Sequence, residues 1–270
     1  MKIAIAFYGQ PRYVTNKHIL NSYKKYFLDK YDCDVFGHMW WGDQTEYDTS
    51  SWNNCVGEMI SPDSLEFFSK NYDPIVIETE EPREFEFDDH VAKFIDEKFT
   101  GKNHCPKNGQ IWCQRNYSNL MSHLYSMQKS SRIVSDYSNE KGITYDFIAL
   151  ARYDTILFDI PNLDECDKGK LHLPCHHGRF PDVVMFCPHK HLTWSGNLFD
   201  DISNVYDKVD TPDPVRWKYE SFISRFPLSD IQPARMDGWC CRSIGDDENI
   251  ARCFEHRNQE VWERSKGYYK

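Results

Sequence analysis

The 270-residue chain contains no apolar run of the roughly 18–20 residues that a membrane span requires, so it offers no candidate crossing. It lacks an excess of positive charge. Lys and Arg number 32 against 42 Asp and Glu, a net charge of −10, which argues against an electrostatic nucleic-acid binder because a phosphate backbone calls for a basic face. Ten cysteines are scattered from Cys33 to Cys253 without one C-x-x-C pair. Histidines sit only loosely beside them, as in Cys175-His176-His177, Cys187 to His191 and Cys253 to His256, where a structural zinc site would show two tight ligand pairs. Reduced, mostly buried thiols are the expectation. The dinucleotide fingerprint G-x-G-x-x-G and the Walker phosphate loop are both absent, which counts against a nicotinamide-dependent dehydrogenase. There is no internal repeat and no low-complexity tract. The first residues enter a short strand-like run, Ile3 to Tyr8, too short and too weakly charged for a secretory signal, so a soluble cytoplasmic protein is expected.

What is present is a globular composition, 40% hydrophobic and 15% aromatic. Lys2 to Tyr8 has strand length and stops at Gly9-Gln10-Pro11-Arg12. Ile19, Leu20, Tyr23 and Phe27 recur at helical spacing over residues 15–30. Asp34 to Trp40 reads as a second strand. Residues 61–71 suggest a helix with Ser61-Pro62-Asp63 as its start, and Pro74 to Glu78 a third strand. Strand, helix, strand, helix, strand in about 80 residues is the pattern of a parallel α/β sheet. Residues 83–113 mix acidic and aromatic side chains and read as an insertion or lid, with helical spacing at 91–99. A long helix is predicted over 111–137, ending near Asn139 to Gly142. The strongest strand follows, Tyr145 to Ala151, and runs directly into Arg152-Tyr153-Asp154. Beyond it the spacing predicts strands at 170–173 and 183–186, helices at 191–206 and 218–226, and a Pro- and Asp-rich loop at 207–216. One α/β domain with an elaborated C-terminal half is expected.

Asp154 is the leading candidate for chemistry. In open α/β sheets ligands bind outside the carboxyl ends of the strands, and a polar triplet that closes a buried strand is well placed there. A lone carboxylate can hold magnesium or manganese, while Arg152, two residues earlier, offers a planar fork for a phosphate, a ribose or a neighbouring carboxylate. An Arg–Asp pair that merely closes the end of a strand fits the same two residues. Gly9 permits close backbone approach and Arg12 supplies a cation at the end of the first strand, although an ordinary turn closed by Pro11 reads equally well.

Three segments together resemble a GT-A fold glycosyltransferase: the opening strand ending in Gly9-Gln10-Pro11-Arg12, the strand Asp34 to Trp40, and Tyr145-Asp-Phe-Ile-Ala-Leu-Ala-Arg-Tyr-Asp154. The likeness is to small nucleotide-sugar transferases of large DNA viruses, chlorella-virus glycan enzymes among them, of phages and of bacterial surface-polysaccharide clusters. It spans most of the chain and is weak per residue. It implies an α/β, Rossmann-like, mostly parallel sheet flanked by helices, with a nucleotide-sugar-binding half at 1–155 and an acceptor-binding half at 156–270. The implied reaction moves a sugar from a nucleotide-diphosphate sugar, a UDP-sugar on family grounds, to a hydroxyl of a glycan acceptor. In a virus its place would be the host cytoplasm.

That fold carries an Asp-x-Asp motif at the end of its fourth strand to hold a divalent metal on the diphosphate. Here Arg152 stands in place of the first Asp. The resemblance therefore implies Asp154 as ligand for Mn2+ or Mg2+, with His256 as the further, C-terminal ligand, and with Tyr153 beside them in the donor site. Gly9, Gln10 and Arg12 belong to the same donor site. So does the helix preceding the fourth strand, where Arg115, Ser118 and Ser122 share a face by their three- and four-residue spacing, although a solvated face has the same spacing. An inverting transferase needs a carboxylate base near the acceptor hydroxyl. Glu220, read as opening a helix, comes first, Asp182 second, and Asp246-Asp247-Glu248 third, the last also fitting a helix cap. Aromatic faces stack on sugars. Of Trp40, Trp41, Trp52, Trp194, Trp217 and Trp239, Trp217 is the first choice to line the acceptor site.

Two other classes fit the same residues. One is a non-catalytic carbohydrate- or nucleotide-binding protein of the same fold. The other is a sugar nucleotidyltransferase, whose Gly- and Lys-rich first loop is missing here.

Overall fold

In a computed structural model, the described residues are 1–42, 60–83, 85, 89–90, 93, 109–174, 180, 184–209, 214–234 and 236–240, with 109–117, 174 and 237–240 described by their backbone alone. The elements run β1 (Lys2–Gly9), α1 (Lys17–Tyr23) with a π-helical turn Lys24–Leu28, β2 (Asp32–Trp40), α2 (Ser64–Tyr72), β3 (Val76–Glu80), α3 (Gly109–Lys141), β4 (Phe147–Arg152) and β5 (Thr155–Asp159). They continue with β6 (Leu171–Pro174), β7 (Val184–Cys187), α4 (Leu192–Ser195), α5 (Ile202–Val205), α6 (Pro214–Ile223), β8 (Ile231–Ala234) and β9 (Asp237–Cys240).

Seven strands form one mixed sheet in the order β3-β2-β1-β4-β7-β6-β8, and β5 pairs with β9 in a separate two-stranded ribbon. Of the seven, β7 alone runs opposite to the others, antiparallel to both β4 and β6. The chain is therefore α/β with a mostly parallel sheet flanked by helices, and strands from both halves share that sheet. The alternation along β1 explains its layers. Ala4, Ala6 and Tyr8 face one core with Leu120, Leu124 and Met127 of α3, while Ile3, Ile5 and Phe7 face the other with Ile19, Tyr23 and Phe68 of α1 and α2. In β4, Ile148 and Leu150 follow the first set and Phe147, Ala149 and Ala151 the second. Among the described residues no helix is long and apolar enough to cross a membrane.

The sequence reading is corrected in its second half. Residues 191–206 are not one helix but the short turns α4 and α5 with a break between them. Helix α6 begins at Pro214 rather than 218, because proline's fixed φ suits a first helical position. The strands β5, β8 and β9 were not anticipated. β5 was hidden because its apolar run, Ile156 to Phe158, follows the polar residues Arg152 to Thr155 without a turn signal. The predicted lid at 83–113 lies mostly outside the described residues, and its last five positions, 109–113, belong to α3.

Candidate functional site

The chain leaves β1 for β2 on one side, goes on to β3, and returns through α3 to β4 on the other side of β1. The crevice between β1 and β4 is thus the point where strand order reverses, which is where open α/β sheets hold ligands. Tyr8 and Arg152 are register partners there. The turn Gly9-Gln10-Pro11-Arg12 therefore emerges beside Arg152-Tyr153-Asp154, as the sequence reading requires.

Gly9 has φ +103°, a conformation that disfavours residues with side chains, so glycine is needed for the turn itself. Its N–H donates to Ser126 Oγ at 2.7 Å. Beyond it Arg12 donates to Gln10 Oε1. Across the crevice Arg152 Nε donates to Asp154 Oδ1 at 2.8 Å and Nη2 to Asp154 Oδ2 at 2.5 Å. This two-pronged pairing closes on a carboxylate whose side chain is 2% exposed, against 17% for Arg152.

Of the two readings left open for these residues, the geometry is that of the Arg–Asp pair closing a strand. Both oxygens of Asp154 are engaged by a cation, and a second cation against the same carboxylate meets Arg152's charge. Among the described residues no group of three or more His, Cys, Asp and Glu comes together. Within the described residues Asp154 is held by Arg152, and the further metal ligand implied by the resemblance, His256, lies outside them.

Tyr153, expected beside Asp154, does not share the face of Arg152. It is fully buried on the opposite face, stacked on Phe7 at 5.4 Å and edge-on to Phe68 at 5.1 Å, and burial drives its phenol well above the ordinary range. The strand alternation that sends Arg152 toward α3 sends Tyr153 the other way. Trp217 is also corrected. It is 1% exposed within the α3-side core and presents no face for a sugar. Trp40 and Trp194 are buried too.

Glu220 is the seventh residue of ten-residue α6 rather than its opening residue. It is 8% exposed and lies 3.1 Å from Arg216 Nη2 one turn back. Lys218 of the same helix has its Nζ 3.5 Å from His123 Nε2 of α3, and His123 stands edge-on to Tyr8. Asp182 and Asp246 to Glu248 lie outside the described residues.

Ser118 and Ser122 are half-buried on α3, and Arg115 lies on the same helix, described by backbone alone. Four residues past Ser122 the serine stripe reaches Ser126, the residue that binds Gly9. At a rise of about 1.5 Å per residue, Ser122 and Ser118 stand roughly 6 and 12 Å further along the axis.

The chain matches no protein-family model and no curated protein.

The sequence reading missed the polar group beside this turn. His38 Nδ1 is 2.8 Å from Ser126 Oγ, and His38 Nε2 is 3.4 Å from Glu80 Oε1. Tyr125 OH donates to both Glu80 oxygens at 3.0 and 3.1 Å, and Lys129 Nζ lies 3.1 Å from Oε1. Burial lowers the His38 pKa to about 4 against the pull of Glu80. Burial works to raise Glu80, but hydrogen bonds from Lys129 and Tyr125 outweigh it and hold its carboxyl below the usual range. The signals were the i, i+4 continuation from Ser118 through Ser122 to Ser126, and the parity that puts His38 on the face of Phe36 and Trp40.

A small cavity of about 130 Å³ opens elsewhere, between α1 and β5, lined by His18, Ser22, Tyr26 and Leu157 among others. A site for a nucleotide sugar needs several times that volume.

Proposed function

We propose that the chain is a GT-A-like glycosyltransferase that holds a nucleotide-diphosphate sugar, a UDP-sugar, in the crevice between β1 and β4 and passes the sugar to a hydroxyl of a glycan acceptor. One observation carries this reading: the Arg-x-Asp turn ends the fourth strand and lies in register beside the Gly9 turn, at the point where strand order reverses. In this reading Arg152, oriented by Asp154, offsets charge on the departing diphosphate, the kind of preorganised electrostatic help that lowers such barriers most. Arg12 and the Ser118–Ser122 face of α3 complete the donor contacts. Glu220 is the acceptor base, its carboxylate held by Arg216.

A second reading, a non-catalytic carbohydrate- or nucleotide-binding protein, is favoured by one observation. Both acids offered for chemistry, Asp154 and Glu220, are nine-tenths or more buried and held by arginines.

A panel of nucleotide sugars, with and without manganese, tests these readings through thermal stabilisation and donor hydrolysis. Stabilisation by one donor with release of a nucleoside diphosphate supports the transferase, and the manganese arm measures cation dependence. Stabilisation without turnover supports the binding protein. Conversion of a nucleotide sugar to a nucleoside triphosphate and a sugar 1-phosphate when pyrophosphate is added marks a nucleotidyltransferase. If no nucleotide sugar shifts the melting temperature or is hydrolysed, the donor site is refuted.

A further inference from the structure

Ser126, His38 and Glu80 form a serine–histidine–carboxylate chain that none of the residues assigned above accounts for. A hydrolytic nucleophile is the first chemistry such a chain suggests, but Ser126 is fully buried and its oxygen already accepts the Gly9 N–H. The hydrogen bonds have one consistent direction instead. Besides accepting the Gly9 N–H, Ser126 has one proton to give, and His38 Nδ1 at 2.8 Å is a nearer acceptor for it than the His38 carbonyl at 3.5 Å. That choice needs Nδ1 unprotonated and puts the ring proton on Nε2, which lies 3.4 Å from Glu80 Oε1, a charge contact outside hydrogen-bond geometry. Glu80 is anchored in turn by Tyr125 and Lys129.

The chain ties together the carboxyl ends of β1, β2 and β3 and the middle of α3. It terminates on the one backbone N–H of the Gly9 turn whose φ is positive, next to the strand pair that carries Arg152. We propose that Ser126 and His38 are positioning residues that set the Gly9-Gln10-Pro11-Arg12 backbone for an anionic nucleotide in the β1–β4 crevice. This rests on the donor-site reading above. Neither residue touches the ligand; each acts through the turn, where a displacement of about 1 Å can cost up to 100-fold in binding or rate.

The test uses the full chain, UDP as the probe in calorimetry well below the melting temperature, and the exchange rate of the Gly9 amide in the free protein. Ser126→Ala keeps the volume and removes the link. It is expected to weaken UDP about 10- to 100-fold and to speed Gly9 exchange at least about tenfold. His38→Asn, whose amide can stand near Nδ1, is expected to bind UDP within about threefold of wild type, whereas His38→Ala behaves like Ser126→Ala. A purely structural role lowers the melting temperature and leaves UDP affinity at the wild-type value; that result in Ser126→Ala overturns the proposal. If wild type itself fails to bind UDP, the donor-site reading falls. The Gly9 amide then decides the remaining claim: faster exchange in Ser126→Ala supports the chain as what sets the turn, and unchanged exchange overturns it.

Discussion

The hydroxyl of Tyr153 occupies the space that a side chain at Gly37 would need: a Cβ built on Gly37 collides with the Tyr153 oxygen. Gly37 sits mid-strand in β2, where glycine costs stability, so the close approach is its reason for being there. Among the described residues that hydroxyl has no hydrogen-bond partner.

Gly37→Ala is therefore expected to destabilise the fold by about 1–3 kcal/mol through overpacking. Tyr153→Phe, which removes an unsatisfied buried hydroxyl, is expected to be neutral or stabilising by up to about 1 kcal/mol. The double variant should recover much of the Gly37→Ala loss. Denaturant unfolding of the four proteins gives the coupling, and strict additivity would show that the two residues do not share this space.

Arg152 and Asp154 are expected to be unequal partners. Arg152→Ala removes the paired cation from a buried carboxylate and should cost about 3–5 kcal/mol in unfolding experiments. Arg152→Lys keeps charge but loses the two-pronged fit, so it should fold and yet bind UDP at least about tenfold more weakly than wild type, read by calorimetry. Wild-type UDP affinity in Arg152→Lys would remove Arg152 from the donor site.

Acid sensitivity follows from two buried histidines. Burial lowers both His38 and His191 from 6.5 to about 4, in each case against a carboxylate, Glu80 or Asp230. The unfolded chain therefore takes up these protons before the folded one does. Their stabilising effect is fully present above about pH 6.5 and is lost as pH falls from 6.5 through 4. For fully buried His38 the drop corresponds to about 3 kcal/mol. Melting temperature should fall over that window, and His38→Asn should flatten the slope. An unchanged slope in His38→Asn would mean that His38 is not the group titrating.

Trp217 is expected to behave as a core residue. Trp217→Ala should cost about 3–5 kcal/mol. Trp217→Phe should lower the melting temperature without changing affinity for any glycan that binds. A selective loss of glycan affinity at unchanged stability would return Trp217 to the acceptor side.

The amino-acid order by itself determined the α/β class, the first four strands and the long helix, because these are long segments whose apolar spacing matches one period. It also determined that the polar turns after Tyr8 and Ala151 end buried strands. Tertiary structure decided what those turns do. It placed Tyr8 against Arg152, sent Tyr153 to the opposite core by strand alternation, and closed Arg152 on Asp154. It also brought Ser126, His38 and Glu80 together from α3, β2 and β3. Periodicity is a local property and shows which face a residue shares. Which face meets which depends on strand order across the sheet, and the spacing of residues within one segment carries no record of that.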